Sequence, residues 1–166
     1  PDVSVQLQVH STRRTGWSVA NGQIDLAIIG GQLPSDLENL LEVIPYATDE
    51  LALVLPTNHP LASKKELMKE DLYKLNFVTL DSQSTTRKVV DTLLKDSGLD
   101  IHRLKIEMEL NSLEAIKNAV QSGLGASFLP VVSIERELAG GSIHKPYLTD
   151  LEVKRELKLI TNPSRY

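Results

Sequence analysis

Apolar and polar positions follow two distinct periods along most of this chain. Three segments predicted as strands are each followed by a segment of helical period: 76–80 then 84–95, 104–110 then 112–122, and 126–129 then 132–138. Repeated strand-helix succession predicts a parallel sheet with right-handed crossovers. The pattern therefore predicts an α/β fold.

The flanking parts of the chain add further elements. Residues 3–9 alternate strictly between apolar and polar, which predicts a strand, and residues 13–20 have the spacing of a short helix. Residues 37–46 are mixed and rich in turn formers. Further strands are predicted at 25–29, 51–55 and 156–161.

Residues 111–130 give the most explicit local signals. Asn111 is placed to cap a helix, with Glu114 three positions on to bond back to the free amides. Gly123 stands where a helix ends in a left-handed residue, and a buried strand follows at 126–129. This order places backbone amides and the positive end of a helix dipole at the carboxyl edge of a sheet, a suitable place for a small anion.

Composition and charge limit the classes of function. The 166 residues are 41% hydrophobic and 24% charged, which fits one ordinary domain or two small lobes. With no cysteine and four histidines lacking metal-ligand spacing, we expect no metal and no cofactor. No apolar run approaches the roughly 20 residues of a membrane helix. The formal charge of −4 argues against direct binding to a nucleic-acid backbone, and basic pairs such as Lys154-Arg155 are interpreted as solvated strand ends.

The most polar loop of the predicted fold joins a strand to a helix. Its hydroxyls, the free helix amides and one guanidinium are suited to a carboxylate or phosphate; the residues are Ser82, Gln83, Ser84, Thr85, Thr86 and Arg87. A serine cap with solvated neighbours explains the same residues equally well.

Four further pairs complete the candidate binding residues. Ser11 and Thr12 have a plain alternative as a helix cap, and Gly30 and Gly31 have one as a turn. Asn111 and Ser112 complete the set, with Leu129 and Pro130 as walls of the site. Signals for catalysis are weak. Residues 123–128 hold only two glycines of a dinucleotide fingerprint and follow a helix, and Glu107 and Glu109 are better explained as a solvated edge. We therefore predict that the protein is not an enzyme.

Three motifs resemble those of LysR-type transcriptional regulators. Residues 111–130 are similar to the second regulatory lobe, in wording closest to the branch that controls carbon-fixation genes in cyanobacteria, plastids and autotrophic bacteria. Residues 21–30 resemble the motif G-x-x-D-x-A-I, and residues 53–61 resemble V-x-x-x-H-P-L. The resemblance extends over nearly all of the chain.

The resemblance implies a periplasmic-binding-protein-like fold (type II) of two Rossmann-like lobes. Lobe I would comprise residues 1–50 plus 155–166, and lobe II residues 51–154. It further implies one more strand and helix before Pro1 and a last helix after Tyr166, so that lobe I is incomplete in this chain. A winged helix-turn-helix, the part that binds promoter DNA, would also precede Pro1.

The resemblance also implies a function. A small anionic metabolite, a phosphorylated sugar or short organic acid such as ribulose bisphosphate, phosphoglycolate or 2-oxoglutarate, would bind between the lobes and control transcription. Homodimers or homotetramers and a cytoplasmic location are implied, or the stroma for a plastid protein. Two alternatives remain: a solute-binding protein of a transporter, and an enzyme on the same bilobal fold.

Overall fold

The computed structural model describes residues 3–165, which form four α-helices and nine strands. The helices are α1 Thr12–Ala20, α2 Thr85–Asp96, α3 Leu113–Gln121 and α4 Glu135–Ala139. The strands are β1 Leu26–Ile29, β2 Glu42–Pro56, β3 Glu66–Leu67, β4 Asn76–Leu80, β5 Lys105–Leu110, β6 Ser127–Pro130, β7 Ile143–His144, β8 Tyr147–Leu148 and β9 Lys154–Thr161. Short 3-10 helices lie at Pro60–Ser63, Lys69–Lys74, Ile101–Arg103 and Val131–Ser133.

The chain divides into two compact units. One holds the residues up to Ala47 together with those from Glu156 onward, and the other is Thr48–Arg155. The lobe boundaries implied by the family resemblance lie at residues 50/51 and 154/155. Two strands, β2 and β9, each begin in one unit and end in the other.

The first unit is a small sheet with one helix. Strand β1 pairs antiparallel with β9, which in turn neighbours β2. Its core consists of five buried side chains: Val19, Ile29, Leu37, Leu41 and Ile160. The predicted helix at 13–20 and the strands at 25–29 and 156–161 are confirmed within one or two residues at each end.

Two predictions for the first unit are wrong. Residues 3–9 form no strand; Val3, Val5, Leu7 and Val9 are between 83% and 86% exposed. Alternation marks which side chains share a face, but a strand also needs a neighbouring backbone to bond with. Residues 42–46, predicted as turn-rich, belong to β2. The hydrophobic pattern of a strand is weak there because this half of β2 is exposed on both faces.

The second unit contains the predicted parallel strands and their helices. Strands β4 and β5 are parallel neighbours, and a parallel bridge from Phe77 to Ala126 brings β4 beside the start of β6. Strand β6 then pairs antiparallel with β2. The three predicted strand-helix units are confirmed, except that 132–138 is a 3-10 turn followed by the short α4. The short strands β3, β7 and β8 were not predicted.

Hydrophobic side chains cover both faces of this sheet. Leu51, Leu53 and Leu55 of β2 belong to one cluster, which includes Val90 and Leu94 of α2. The intervening side chain of Val54 joins a second cluster with Ile116 and Val120 of α3. Because strand side chains alternate between faces, α2 and α3 must cover opposite sides of the sheet.

Glycines determine two local features after α3. Gly123 has a φ of +84°, the left-handed conformation that ends a helix. Gly125 lies against β4, where a Cβ would be 2.7 Å from the carbonyl oxygen of Asn76. The absence of a side chain therefore lets the start of β6 approach β4.

Candidate functional site

Two serine-capped helices begin at one edge of the β4–β5 pair. The Ser84 hydroxyl accepts a hydrogen bond from the Arg87 amide at 3.5 Å, and the Ser112 hydroxyl accepts one from the Ala115 amide at 3.4 Å. The Asp81 amide donates to the Leu110 carbonyl at 3.0 Å, which joins the ends of the two strands. Because β4 and β5 are parallel neighbours, both helix starts point their amides to the same edge of the sheet.

The cap of α3 differs from the predicted one. Ser112, in an extended conformation, is the N-cap, and Asn111 lies exposed before it. The Glu114 carboxylate pairs with the Lys117 ammonium at 2.7 Å rather than with the helix amides. Asparagine and serine are both good helix caps, so which of Asn111 and Ser112 becomes the N-cap depends on where the chain leaves β5.

Arg87 is engaged inside the second unit. Its Nε lies 2.9 Å from both carboxylate oxygens of Asp91, and Nη1 donates to Thr79 Oγ1 at 2.6 Å, to the Leu80 carbonyl at 3.2 Å and to Glu109 Oε1 at 3.2 Å. These bonds fasten the first turn of α2 to strands β4 and β5. An anion would have to compete with two carboxylates for this guanidinium.

A second arginine, which the sequence did not indicate, lies at the same helix start. Arg155 donates from Nε to Asp49 Oδ2 at 2.9 Å and from Nη1 to Thr86 Oγ1 at 2.8 Å, and its Nη2 lies 2.7 Å from the same Asp49 oxygen in an ion pair. The Arg155 and Asp49 side chains are only 15% and 7% exposed. For Arg155 this contradicts the interpretation of the basic pairs as solvated helix or strand ends, because strand alternation in β9 exposes Lys154 and turns Arg155 inward.

The other predicted residues of the second unit vary in access. Ser82 and Gln83 are exposed, and the Gln83 amide is bonded to the Asp81 carboxylate at 2.9 Å. Thr85 is half-buried. Leu129 is 0% exposed and packs in the cluster under α3, and Pro130 is buried as well. Neither of these last two side chains offers surface to a ligand, and their burial is that of core positions.

The candidate residues of the first unit occupy similar local positions. The Ser11 hydroxyl accepts from the Arg14 amide at 3.5 Å and caps α1, with Thr12 as its first residue. Gly30 and Gly31 follow β1 directly and are half-buried. Neither glycine has a positive φ, so their backbone conformation is open to other residues.

Residues 3–165 contain neither a metal-site arrangement nor a membrane-spanning helix. No group of three or more His, Cys, Asp or Glu side chains there has the arrangement of a metal site. None of the helices in that range combines the length and apolar character needed to cross a bilayer.

The whole chain, residues 1–166, matches the family model described as LysR substrate binding domain. A curated relative from Synechocystis, named "Probable RuBisCO transcriptional regulator", is 61% identical over 166 residues, covering 100% of this chain and 48% of the relative. A relative of the same name from Guillardia theta is 57% identical, covering 100% of this chain and 54% of the relative. The chain thus spans about half the length of the curated relatives it matches.

Solved structures with the same fold include two ligand complexes. The regulatory domain of Synechocystis CcmR in complex with 2-PG has a TM-score of 0.83 and 24% identity, covering 98% of this chain and 76% of that one. The effector-binding domain of QuiR in complex with shikimate has a TM-score of 0.77 and 22% identity, covering 95% of this chain and 71% of that one. These likenesses show the periplasmic-binding-protein-like fold that the sequence predicted. By the family model and these identities, the chain belongs to the effector-binding domains of LysR-type regulators, with relatives named as RuBisCO regulators.

Proposed function

We propose that this chain senses a small anionic metabolite and that the ligand contacts the starts of α2 and α3 in the second unit. The observation that supports the proposal most is the pair of capped helix starts at one edge of β4 and β5. Free backbone amides and the positive ends of two dipoles favour a carboxylate or phosphate there. The proposed contacts are Ser84, Thr85, Thr86, Asn111 and Ser112, with Ser82 and Gln83 at the rim.

The relatives suggest which anion to test and what it controls. The solved CcmR domain is in complex with 2-PG, and the relatives are named for RuBisCO transcription. We infer that the full protein regulates carbon-fixation genes, bound to promoter DNA through another part of the chain and assembled as a homo-oligomer. In this role it performs no bond chemistry and works in the cytoplasm, or in the stroma of a plastid.

A ligand-induced change in transcription requires different affinities for two states of the regulator. The ligand therefore has to contact groups whose arrangement differs between those states. Strands β2 and β9 link the two units and carry Asp49 and Arg155, which are bonded to each other and, through Arg155, to Thr86. We propose that these residues connect ligand contact at α2 with the strands that run into the first unit.

Calorimetry with 2-phosphoglycolate, ribulose 1,5-bisphosphate and 2-oxoglutarate tests the proposal. Ser84→Asp and Ser112→Asp keep a good helix cap but add a negative charge at the site. Each should weaken binding of the preferred anion by at least about tenfold, because like charges repel at close range. Asn58→Asp makes the same charge change at an exposed turn and should bind as the wild type does. Equal affinity in all four proteins would refute the proposed location.

A further inference from the structure

We propose that Arg155 determines ligand specificity at the start of α2 by fixing the Thr86 hydroxyl as a hydrogen-bond donor. This inference rests on the proposed function and adds a residue that neither the motifs nor the helix caps indicate. Arg155 acts through Thr86 and is therefore a positioning residue.

The direction of the bond between the two side chains carries the argument. Arg155 Nη1 lies 2.8 Å from Thr86 Oγ1. A guanidinium has only donors, so the hydroxyl must accept in this bond. A hydroxyl has one proton of its own, and within residues 3–165 the Thr86 hydroxyl shows no bond to a protein acceptor. Its proton is therefore left for a ligand.

Asp49 holds the guanidinium in this orientation. Its Oδ2 accepts from Nε of Arg155 at 2.9 Å and lies 2.7 Å from Nη2. An arginine side chain loses rotamer entropy when it is fixed, and here the fold has fixed it before any ligand arrives. Two of the five guanidinium N–H groups donate in these contacts, one to Asp49 and one to Thr86.

The chemistry of the ligand follows from this arrangement. Thr86, the remaining N–H groups of Arg155 and the first amides of α2 are all donors, and the helix start is positive. A deprotonated carboxylate or phosphate oxygen satisfies such donors, whereas a hydroxyl or amide group of a ligand brings protons that find no acceptor. We therefore expect discrimination between an acid and its neutral amide or alcohol.

A double-mutant cycle with 2-phosphoglycolate as the probe tests the role of Arg155. Thr86→Val keeps the shape of the side chain and removes the hydroxyl, and should weaken binding about tenfold, as expected for one bond to a charged group. Arg155→Gln should weaken it at least as much. In the Thr86→Val background, Arg155→Gln should cost less than in the wild type, because the donor it positions is gone.

Two further variants separate positioning from stability. Arg155→Lys keeps a donor for Thr86 and should recover part of the lost affinity. Asp71→Asn breaks another ion pair of the same unit, the one with Lys74, so it should lower the melting temperature and leave the affinity for 2-phosphoglycolate unchanged.

The outcomes distinguish this inference from the proposed function. If 2-phosphoglycolate binds the wild type and Arg155→Gln with the same affinity, or if the losses in the cycle are strictly additive, the role of Arg155 is refuted while the proposed function stands. If none of the three anions binds the wild type, the proposed function fails and this inference fails with it.

Discussion

Lys117 on α3 lies 3.0 Å from Glu137 on α4, measured from Nζ to Oε1, and the two side chains are only 10% and 17% exposed. The ammonium also pairs with Glu114 at 2.7 Å and donates to the Ser133 carbonyl at 3.1 Å. Helix α4 has five residues and no side-chain cap, so it depends on such contacts with α3. The hydrogen bonds that Lys117 donates to the Glu114 and Glu137 carboxylates raise the pKa of Lys117, and the bond to Glu137 holds the pKa of that carboxyl below its usual value.

The depressed pKa of Glu137 predicts a loss of stability in acid. A carboxyl whose folded pKa is lowered stabilises the fold above its unfolded pKa, and this contribution disappears as pH falls through the folded value. Glu137→Gln should therefore melt below the wild type at about pH 7, and the difference should shrink towards about pH 3. Glu135→Gln, exposed on the same helix, is the control. A difference that is constant with pH would contradict the role of this ion pair.

Replacing Asp49 by asparagine should destabilise the second unit. It leaves the Arg155 charge, which is 15% exposed, without its carboxylate partner. Loss of one partner of a buried ion pair lowers the free energy of unfolding by about 3–5 kcal/mol. Because Arg155 is partly exposed, we expect a decrease near the lower end of this range. Urea denaturation measures the change. Glu152→Gln, in a pair whose glutamate is 76% exposed, should change stability by less than about 1 kcal/mol.

The close approach at Gly125 predicts a local effect of Gly125→Ala. The new Cβ would be 2.7 Å from the Asn76 carbonyl oxygen, which accepts the Ala126 amide at 2.8 Å. Hydrogen exchange at the Ala126 and Val78 amides should accelerate, with a loss of roughly 1–3 kcal/mol from overpacking. Lys88→Ala, at an exposed position of α2, should leave these amides as protected as in the wild type. Unchanged exchange in Gly125→Ala would show that the strands can separate without cost.

The charge of the chain predicts that it does not bind DNA alone. Its formal charge of −4 is unfavourable for neutralising DNA phosphates, which takes a concentrated basic surface. In a mobility-shift assay at physiological salt, a RuBisCO promoter fragment should migrate unchanged. A saturable and sequence-specific shift would mean that these residues contact DNA themselves.

The sequence predicted those elements whose signals are local. Strands β4 and β6 are short apolar runs in a sheet that is covered on both faces, β5 alternates apolar and charged residues, and α2 and α3 are amphipathic segments. The serine caps at Ser11 and Ser84 were also predictable as one of two explanations. The prediction of a strand at residues 3–9 failed because alternation of apolar and polar residues does not identify a partner strand.

Arg155 could not be found in this way. Its partners Asp49 and Thr86 lie 106 and 69 positions away in the chain. A basic residue beside another basic residue near the start of a strand looks solvated until the pairing of β2 and β9 is known. Such contacts depend on topology, and a single sequence holds no local trace of them.

Strand β2 places successive residues in different hydrophobic clusters, with Leu53 and Leu55 under α2 and Val54 under α3. Deleting or inserting one residue in this segment would move the leucines to the face of the sheet covered by α3 and the valine to the face covered by α2. We therefore expect β2 to accept changes of side chain far more readily than changes of length, which makes this strand a poor place for tags, cleavage sites or a split of the chain.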